Sequence, residues 1–164
     1  PADASDEYAF MYGRNVLTRD GTMYFGTWSR LGNALYVNTD NAASWSKRSI
    51  VFPITYPDFE SLAGADGPFY PRVVFCPDGS LLAMTFNTPP KNRCYSRRST
   101  DNGRTWGPIK AENLSLWAPH MKRYDNRTLI VTGHRPASNR SLVLDRQVMH
   151  VAQISGSVAK VLAR

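Results

Sequence analysis

Short apolar runs, each followed by a turn signal, recur along the whole chain. Three such segments, residues 14–28, 72–86 and 120–134, align without gaps at offsets of 58 and 48 residues. Each is typical of two strands joined by a tight turn. The turns are Asp20-Gly21, Asp78-Gly79 and Asn126-Arg127. Asp-Gly between apolar runs is a strong hairpin signal, because both turn residues then adopt positive φ.

A second hairpin follows each of these three hairpins. Its strands and turns occupy residues 34–52, 93–106 and 147–162. Each repeat is therefore predicted to be a four-stranded antiparallel meander of the size of a propeller blade. No stretch has the 3.6-residue periodicity of a capped helix. We predict one all-β domain over residues 1–164, with blades at about 8–52, 69–112 and 117–163.

The turn of the second repeat carries an eight-residue motif, Ser-Thr-Asp-Asn-Gly-Arg-Thr-Trp, at residues 99–106. It resembles the Asp box, S-x-D-x-G-x-T-W, of sialidase-like β-propellers. Residues 38–45 look like a degenerate copy, with Asn38 in the Ser position and Ala42 in the Gly position. In such a turn the carboxylate accepts several N–H groups, and glycine supplies the positive φ. The box residues expected to be structural are Asp40, Trp45, Ser99, Asp101, Gly103, Thr105 and Trp106.

The resemblance implies a fold of which this chain spans half. Sialidase-like propellers have six blades, and the sequence predicts three four-stranded antiparallel blades, a half propeller. Three blades leave two apolar blade faces uncovered. The chain begins at Pro1 rather than Met, which is typical of a processed, trimmed or partial sequence. A missing second half, or a second copy in a homodimer, would complete the ring. The alternative fold is a β-sandwich with coincidental turns.

Blade geometry selects candidate site residues, because the inner strand begins and the second strand ends at one face of the ring. Arg14, Arg72 and Arg135 resemble the arginine cluster by which sialidases hold a substrate carboxylate. Asp66 is the candidate acid/base and Tyr70 the candidate nucleophile. After Arg14 the sequence has Asn15-Val16, where the family's motif has Ile-Pro.

Further candidates lie at the same face. His120 and His134 predict a proton-transfer pair, as in propeller-type lyases and uronate-acting glycosidases. Asn87, Trp28 and Trp117 are candidate sugar contacts. Each of these residues also has a purely structural interpretation: a surface ion pair for an arginine, a turn for Asp66, blade packing for an aromatic ring.

Charge and composition narrow the function classes. The formal charge is +7, of which +6 comes from residues 118–164, yet no basic run exceeds two residues. This pattern favours an anionic ligand over nucleic acid. No apolar run approaches a membrane span. The two cysteines are expected to be free and buried, since an intervening strand separates Cys76 from Cys94. No metal-ligand spacing or cofactor motif occurs, so no cofactor is expected.

These observations predict a carbohydrate-active enzyme, a sialidase-like glycoside hydrolase acting on an acidic sugar. Two alternatives remain open: a non-catalytic carbohydrate-binding propeller, and a propeller fragment that is inactive without its second half. A polysaccharide lyase is a further option. The expected partner is an acidic carbohydrate, with no nucleic acid and no membrane. The resemblance implies secretion or a periplasmic location, which the residues themselves leave unknown.

Overall fold

The computed structural model describes residues 16–29, 31–41, 43–57, 59, 68–87, 93–125, 128–135, 146–155 and 158–161. These residues form twelve β-strands, and no helix occurs among them. Consequently, none of the described residues belongs to a helix that could span a membrane. The all-β prediction is confirmed. The strands are β1 Val16–Arg19, β2 Thr22–Ser29, β3 Gly32–Asn38, β4 Ser46–Pro53, β5 Phe69–Phe75, β6 Leu81–Phe86, β7 Cys94–Ser99, β8 Lys110–Ala111, β9 Trp117–Arg123, β10 Thr128–Arg135, β11 Arg146–Ser155 and β12 Val158–Val161.

The strands form three four-stranded sheets, as the sequence predicted. Sheet I has the order β1-β2-β3-β4, sheet II the order β5-β6-β7-β8 and sheet III the order β9-β10-β11-β12. All pairings are antiparallel and join neighbours in the chain. Each sheet is therefore a meander built from local contacts.

Sheet II is buried on both of its faces, because alternate residues of its strands belong to different cores. On β5, Val73 packs with sheet I and Val74 packs with sheet III. On β6, Ala83 belongs to the first core and Met84 to the second. The sheets thus stack in the order I, II, III.

The two cores are dominated by large side chains. The core between sheets I and II contains Tyr24, Leu35, Val37, Val51, Phe52, Phe59, Val73, Leu81, Ala83 and Tyr95. The core between sheets II and III contains Val74, Met84, Phe86, Cys94, Leu114, Leu116, Met121, Leu129 and Val131. Both cysteines are free and buried, as expected. Burial raises the pKa of the Cys94 thiol to about 12, which keeps it protonated and unreactive.

The first hairpin turn is shorter than the second. Asp20 and Gly21 both have positive φ, at 50° and 72°, so the two-residue turn prediction is confirmed there. The expectation of two positive φ angles is wrong for the second turn, where only Gly79 has one. Here Gly79 donates its N–H to the Cys76 carbonyl at 3.0 Å, and Asp78 Oδ1 accepts the N–H and hydroxyl of Ser80. Pro77 has a fixed negative φ, which suits this three-residue turn.

The length difference changes the register of the first repeat. In the gap-free alignment Phe75 corresponds to Leu17, and its partner Leu81 corresponds to Met23. Leu17, however, pairs with Tyr24 and not with Met23. The gap-free alignment of β1 with β5 is therefore wrong by one residue. The gap-free alignment is correct between the second and third repeats. Arg123 and Leu129 correspond to Phe75 and Leu81, and both pairs are partners in their sheets. Residues 126–127 lie outside the described part of the chain.

Candidate functional site

The stack of sheets has two different edges. At one edge lie the first-hairpin turns, and Arg19 Nη1 there donates to the Gly79 carbonyl at 2.8 Å across sheets I and II. We call this the turn edge. At the other edge Asn33 Nδ2 donates to the Pro68 carbonyl at 2.6 Å, joining the beginning of β3 to the residue before β5. We call this the loop edge, and all the predicted catalytic and binding residues of the described chain belong to it.

The first strands of sheets II and III share a bulge at the loop edge. In β5 the register passes from Phe69–Phe86 to Arg72–Met84, with one extra residue on β5. In β9 it passes from Trp117–His134 to His120–Thr132, again with one extra residue. The sequences are Phe-Tyr-Pro-Arg at residues 69–72 and Trp-Ala-Pro-His at residues 117–120. Proline suits a bulge, since it cannot donate to the ladder, and bulges redirect neighbouring side chains.

The bulges place two basic residues at equivalent positions. Arg72 is 4% exposed, and desolvation lowers the pKa of its guanidinium. His120 is exposed. A nearly buried guanidinium suits an anionic ligand, because desolvation strengthens the interaction between opposite charges.

The remaining loop-edge candidates are described to different extents. Tyr70 lies within the β5 bulge, and Trp117 begins β9 opposite His134. Arg135 ends β10 opposite Arg146. Trp28 is half-buried at the end of β2, opposite Asn33. Arg14 and Asp66 lie outside the described residues.

Asn87 is a buried residue with hydrogen bonds inside the protein. Its N–H donates to the Arg93 carbonyl at 3.1 Å, and its Oδ1 accepts the Arg93 N–H at 2.9 Å. Its Nδ2 donates to the Tyr95 hydroxyl at 3.3 Å. These bonds close the β6–β7 loop, and this structural role was not predicted for Asn87 from the sequence.

The Ser99–Trp106 turn lies at the turn edge and is organised by the Asp101 carboxylate. Asp101 accepts the hydroxyl of Thr105 at 2.6 Å, its N–H at 2.9 and 3.0 Å, and the hydroxyl of Ser99 at 2.8 Å. These bonds, led by the Thr105 hydroxyl, hold the pKa of Asp101 well below its usual range. Ser99 Oγ also accepts the N–H of Gly103, whose φ is 80°.

The Asn38–Trp45 turn repeats this pattern with different residues. Asp40 accepts the N–H of Ser44 at 3.0 Å and its hydroxyl at 2.5 Å, and these bonds lower the pKa of Asp40. Asn38 replaces Ser99 and donates to both Asp40 and the Ser44 carbonyl. Asn41 has a positive φ of 55°, as does the equivalent Asn102, at 58°. A carboxylate that accepts two bonds from the residue four positions later is therefore common to both turns.

The Ser99–Trp106 turn also joins sheet II to sheet I. Trp106 Nε1 donates to Ser49 Oγ at 3.0 Å, and Ser49 Oγ donates to the Gly103 carbonyl at 2.6 Å. Arg97 reaches three carbonyls, those of Val51 at 2.5 Å, Gly107 at 2.6 Å and Trp106 at 3.0 Å. No local signal in the sequence identifies Arg97 or Ser49, because their partners lie in another sheet or turn.

No group of three or more His, Cys, Asp or Glu residues in the described ranges could hold a metal ion.

Similarity to known structures is found at the level of the fold. No protein-family model matches the sequence, and no curated protein matches it significantly. Solved structures that resemble it include a Dyadobacter fermentans protein of unknown function, with a TM-score of 0.62 and 13% identity. They also include a mutant of the NanB sialidase of Streptococcus pneumoniae, at 0.59 and 15%, and an alpha-L-arabinanase of Penicillium chrysogenum, at 0.56 and 17%.

The chain spans less than half of each of these proteins. The alignments cover 90%, 86% and 82% of this chain but 40%, 20% and 42% of the respective matches. The fold of this chain thus resembles part of the fold of a sialidase and part of that of an arabinanase.

Proposed function

We propose that this chain is half of a sialidase-like β-propeller and acts in a glycoside hydrolase for an acidic sugar. The observation that carries the proposal is the repeated bulge, which brings Arg72 and His120 to equivalent positions at the loop edge. The similarity of the fold to those of a sialidase and an arabinanase supports a carbohydrate as the ligand. The two carboxylate-centred turns support the Asp-box interpretation.

In the proposed mechanism, cationic groups hold the carboxylate of the sugar. Arg72, helped by Arg14 and Arg135, binds the carboxylate through paired hydrogen bonds. Asp66 donates a proton to the glycosidic oxygen as the bond to the anomeric carbon breaks, with Tyr70 as the candidate nucleophile. The resulting bond between Tyr70 and the anomeric carbon is then broken by water, which gives one proton back to Asp66 and releases the sugar.

The other loop-edge residues have supporting roles in this proposal. His120 and His134 transfer protons, and Trp28 and Trp117 pack against the sugar. Asn87 contributes to the sugar site indirectly, by holding the β6–β7 loop in place, since its side chain makes hydrogen bonds within the protein. A second half, from a second copy or from further sheets, completes the ring around the ligand.

The test is a panel of chromogenic sialosides, uronides and neutral arabinosides incubated with the full chain. We expect turnover of an acidic glycoside, and none after Asp66→Asn. Arg72→Lys keeps the charge but loses the paired donors, and we expect it to raise KM about tenfold or more. Arg98→Lys is the matched control, because Arg98 contacts Asp78 at the opposite edge.

The alternatives give different results in the same panel. Binding without turnover would indicate a carbohydrate-binding propeller. An unsaturated, ultraviolet-absorbing product would indicate a lyase. Equal effects of Arg72→Lys and Arg98→Lys would contradict the assignment of the loop edge as the ligand site.

A further inference from the structure

The β4–β5 connection is fixed to the stack by two aromatic residues. Phe59 is 2% exposed and packs edge-on against Tyr95, with ring centroids 4.9 Å apart. Tyr56 contacts both rings, at 5.2 Å from Phe59 and 6.2 Å from Tyr95. The backbone turns tightly here, since Phe59 donates its N–H to the Tyr56 carbonyl at 2.7 Å. This segment leads directly into residues 60–67, which include Asp66.

The β6–β7 loop is fixed to the same tyrosine from the other side. Tyr95 is fully buried, and its hydroxyl accepts the hydrogen bond from Asn87 Nδ2. Asn87 in turn closes the loop through both its backbone N–H and its side-chain oxygen, which bind Arg93. Tyr95 therefore contacts the anchors of two loops that are separated in sequence, through its ring in one case and its hydroxyl in the other.

We propose that Asn87, Tyr95 and Phe59 are positioning residues that couple the β4–β5 loop to the β6–β7 loop at the loop edge. Buried rings in edge contact hold one geometry, and a buried amide that lost its partner would remain desolvated. A displacement of Phe59 is thus expected to reach Asn87 through Tyr95. The coupling itself is independent of the ligand; only its consequence, preorganisation of a carbohydrate site, rests on the proposed function.

Hydrogen exchange of the full chain tests the coupling without a ligand. The reporters are the amides of Asn87 and Arg93 in one loop and of Phe59 in the other. Phe59→Leu changes the β4–β5 loop alone. We nevertheless expect the amides of Asn87 and Arg93, in the β6–β7 loop, to exchange about two- to tenfold faster, which is the effect of weakening one hydrogen bond. Asn87→Ala is expected to accelerate the amide of Phe59 to a similar extent.

Two further variants separate coupling from general destabilisation. Ser96 lies next to Tyr95 on β7, and its buried hydroxyl donates to Glu112. Ser96→Ala removes this hydroxyl and is therefore the matched control. It should lower overall stability without accelerating the reporter amides selectively. In a Tyr95→Phe background, which lacks the hydroxyl but keeps the ring, Phe59→Leu should no longer affect Asn87 and Arg93.

The outcomes are distinct. Acceleration confined to the mutated loop, or an equal response to Ser96→Ala, would overturn the coupling whatever the enzyme assays show. If the coupling holds and an acidic glycoside is turned over, Tyr95→Phe should change KM more than kcat. Coupling without any turnover would leave the positioning role intact and count against the proposed activity alone.

Discussion

A single carboxylate organises each of the two related turns. Asp101 and Asp40 both accept the N–H and the hydroxyl of the residue four positions later. Because the ionised form is the one that accepts these bonds, folding lowers the pKa of each carboxyl. The turn thus favours an anion at that position, and the hydroxyl residue four positions later is Ser in one turn and Thr in the other.

This arrangement predicts a stability that depends on pH. Asp40, Asp78 and Asp101 all have folded pKa values below those of the unfolded chain, so the unfolded state binds more protons in acid. Their contribution is complete above about pH 5, where unfolded carboxyls are also ionised. We expect the free energy of unfolding to fall steadily as the pH is lowered below about 5. Urea unfolding at a series of pH values measures it.

Asp101→Asn isolates the contribution of one carboxylate. The variant should be less stable than the parent at pH 7, and the difference should narrow as the pH falls below about 4, because the unfolded parent then binds a proton that the folded Asp101 carboxylate does not. Asp20→Asn is the control, since the Asp20 carboxylate is exposed and forms an ion pair with Arg19, at 3.5 Å, and asparagine tolerates positive φ. A constant difference at every pH would contradict the role assigned to the charge.

At the scale of the elements, Gly103 combines a conformational and a packing requirement. Its φ is 80°, and a Cβ atom would overlap Cδ2 of the fully buried Leu35 in sheet I. Gly21 has a similar φ of 72° but faces open space. Comparing the two glycines therefore separates backbone strain from contact between sheets.

We expect Gly21→Ala to cost about 1–2 kcal/mol from backbone strain alone. Gly103→Ala should cost about 1–3 kcal/mol more, because the added methyl group overpacks the core between sheets I and II. Chemical denaturation of both variants measures the difference. Equal losses of stability would mean that Leu35 and its neighbours can move aside, and that the turn is not a tight contact between the sheets.

The sequence predicted the elements better than their registers. Alternation of apolar residues and the Asp-Gly signals located the hairpins, because these features are local. The one-residue shift of β1 followed from a turn that is shorter than that around Asp78, a difference that gap-free alignment cannot reveal. The bulges before Arg72 and His120 were also missed, since a proline near the beginning of a strand has several structural explanations.

The candidate site was only partly predictable for the same reason. Arg72 and His120 were identified from the repeat, and the register supports their equivalence. The internal role of Asn87 depends on Tyr95 and Arg93, whose positions are set by tertiary packing. Arg97, in sheet II, likewise donates a hydrogen bond to the carbonyl of Val51 in sheet I. Such long-range partners leave no pattern in a single sequence.

At the scale of the whole molecule, the stacking of sheets indicates how a ring would close. Sheet II is stabilised by a core on each face, whereas the proposed ring requires sheets I and III to find equivalent neighbours. In a two-fold ring, sheet III of one copy would meet sheet I of the other. Residues 117–161, which include sheet III, carry a net charge of +5, and residues 16–53, which include sheet I, carry +2, so this contact joins two basic segments.

The mass of the particle in solution tests this closure. We expect light scattering after size exclusion to give a homogeneous particle of about twice the chain mass of 18.4 kDa. Raising the salt concentration should preserve or strengthen the association, since salt screens repulsion between basic chains while apolar contacts persist. A stable, monodisperse monomer would contradict closure by a second copy. The proposed six-bladed ring would then require sheets from elsewhere, and mutants of Arg72 and His120 would have to be tested in that larger assembly.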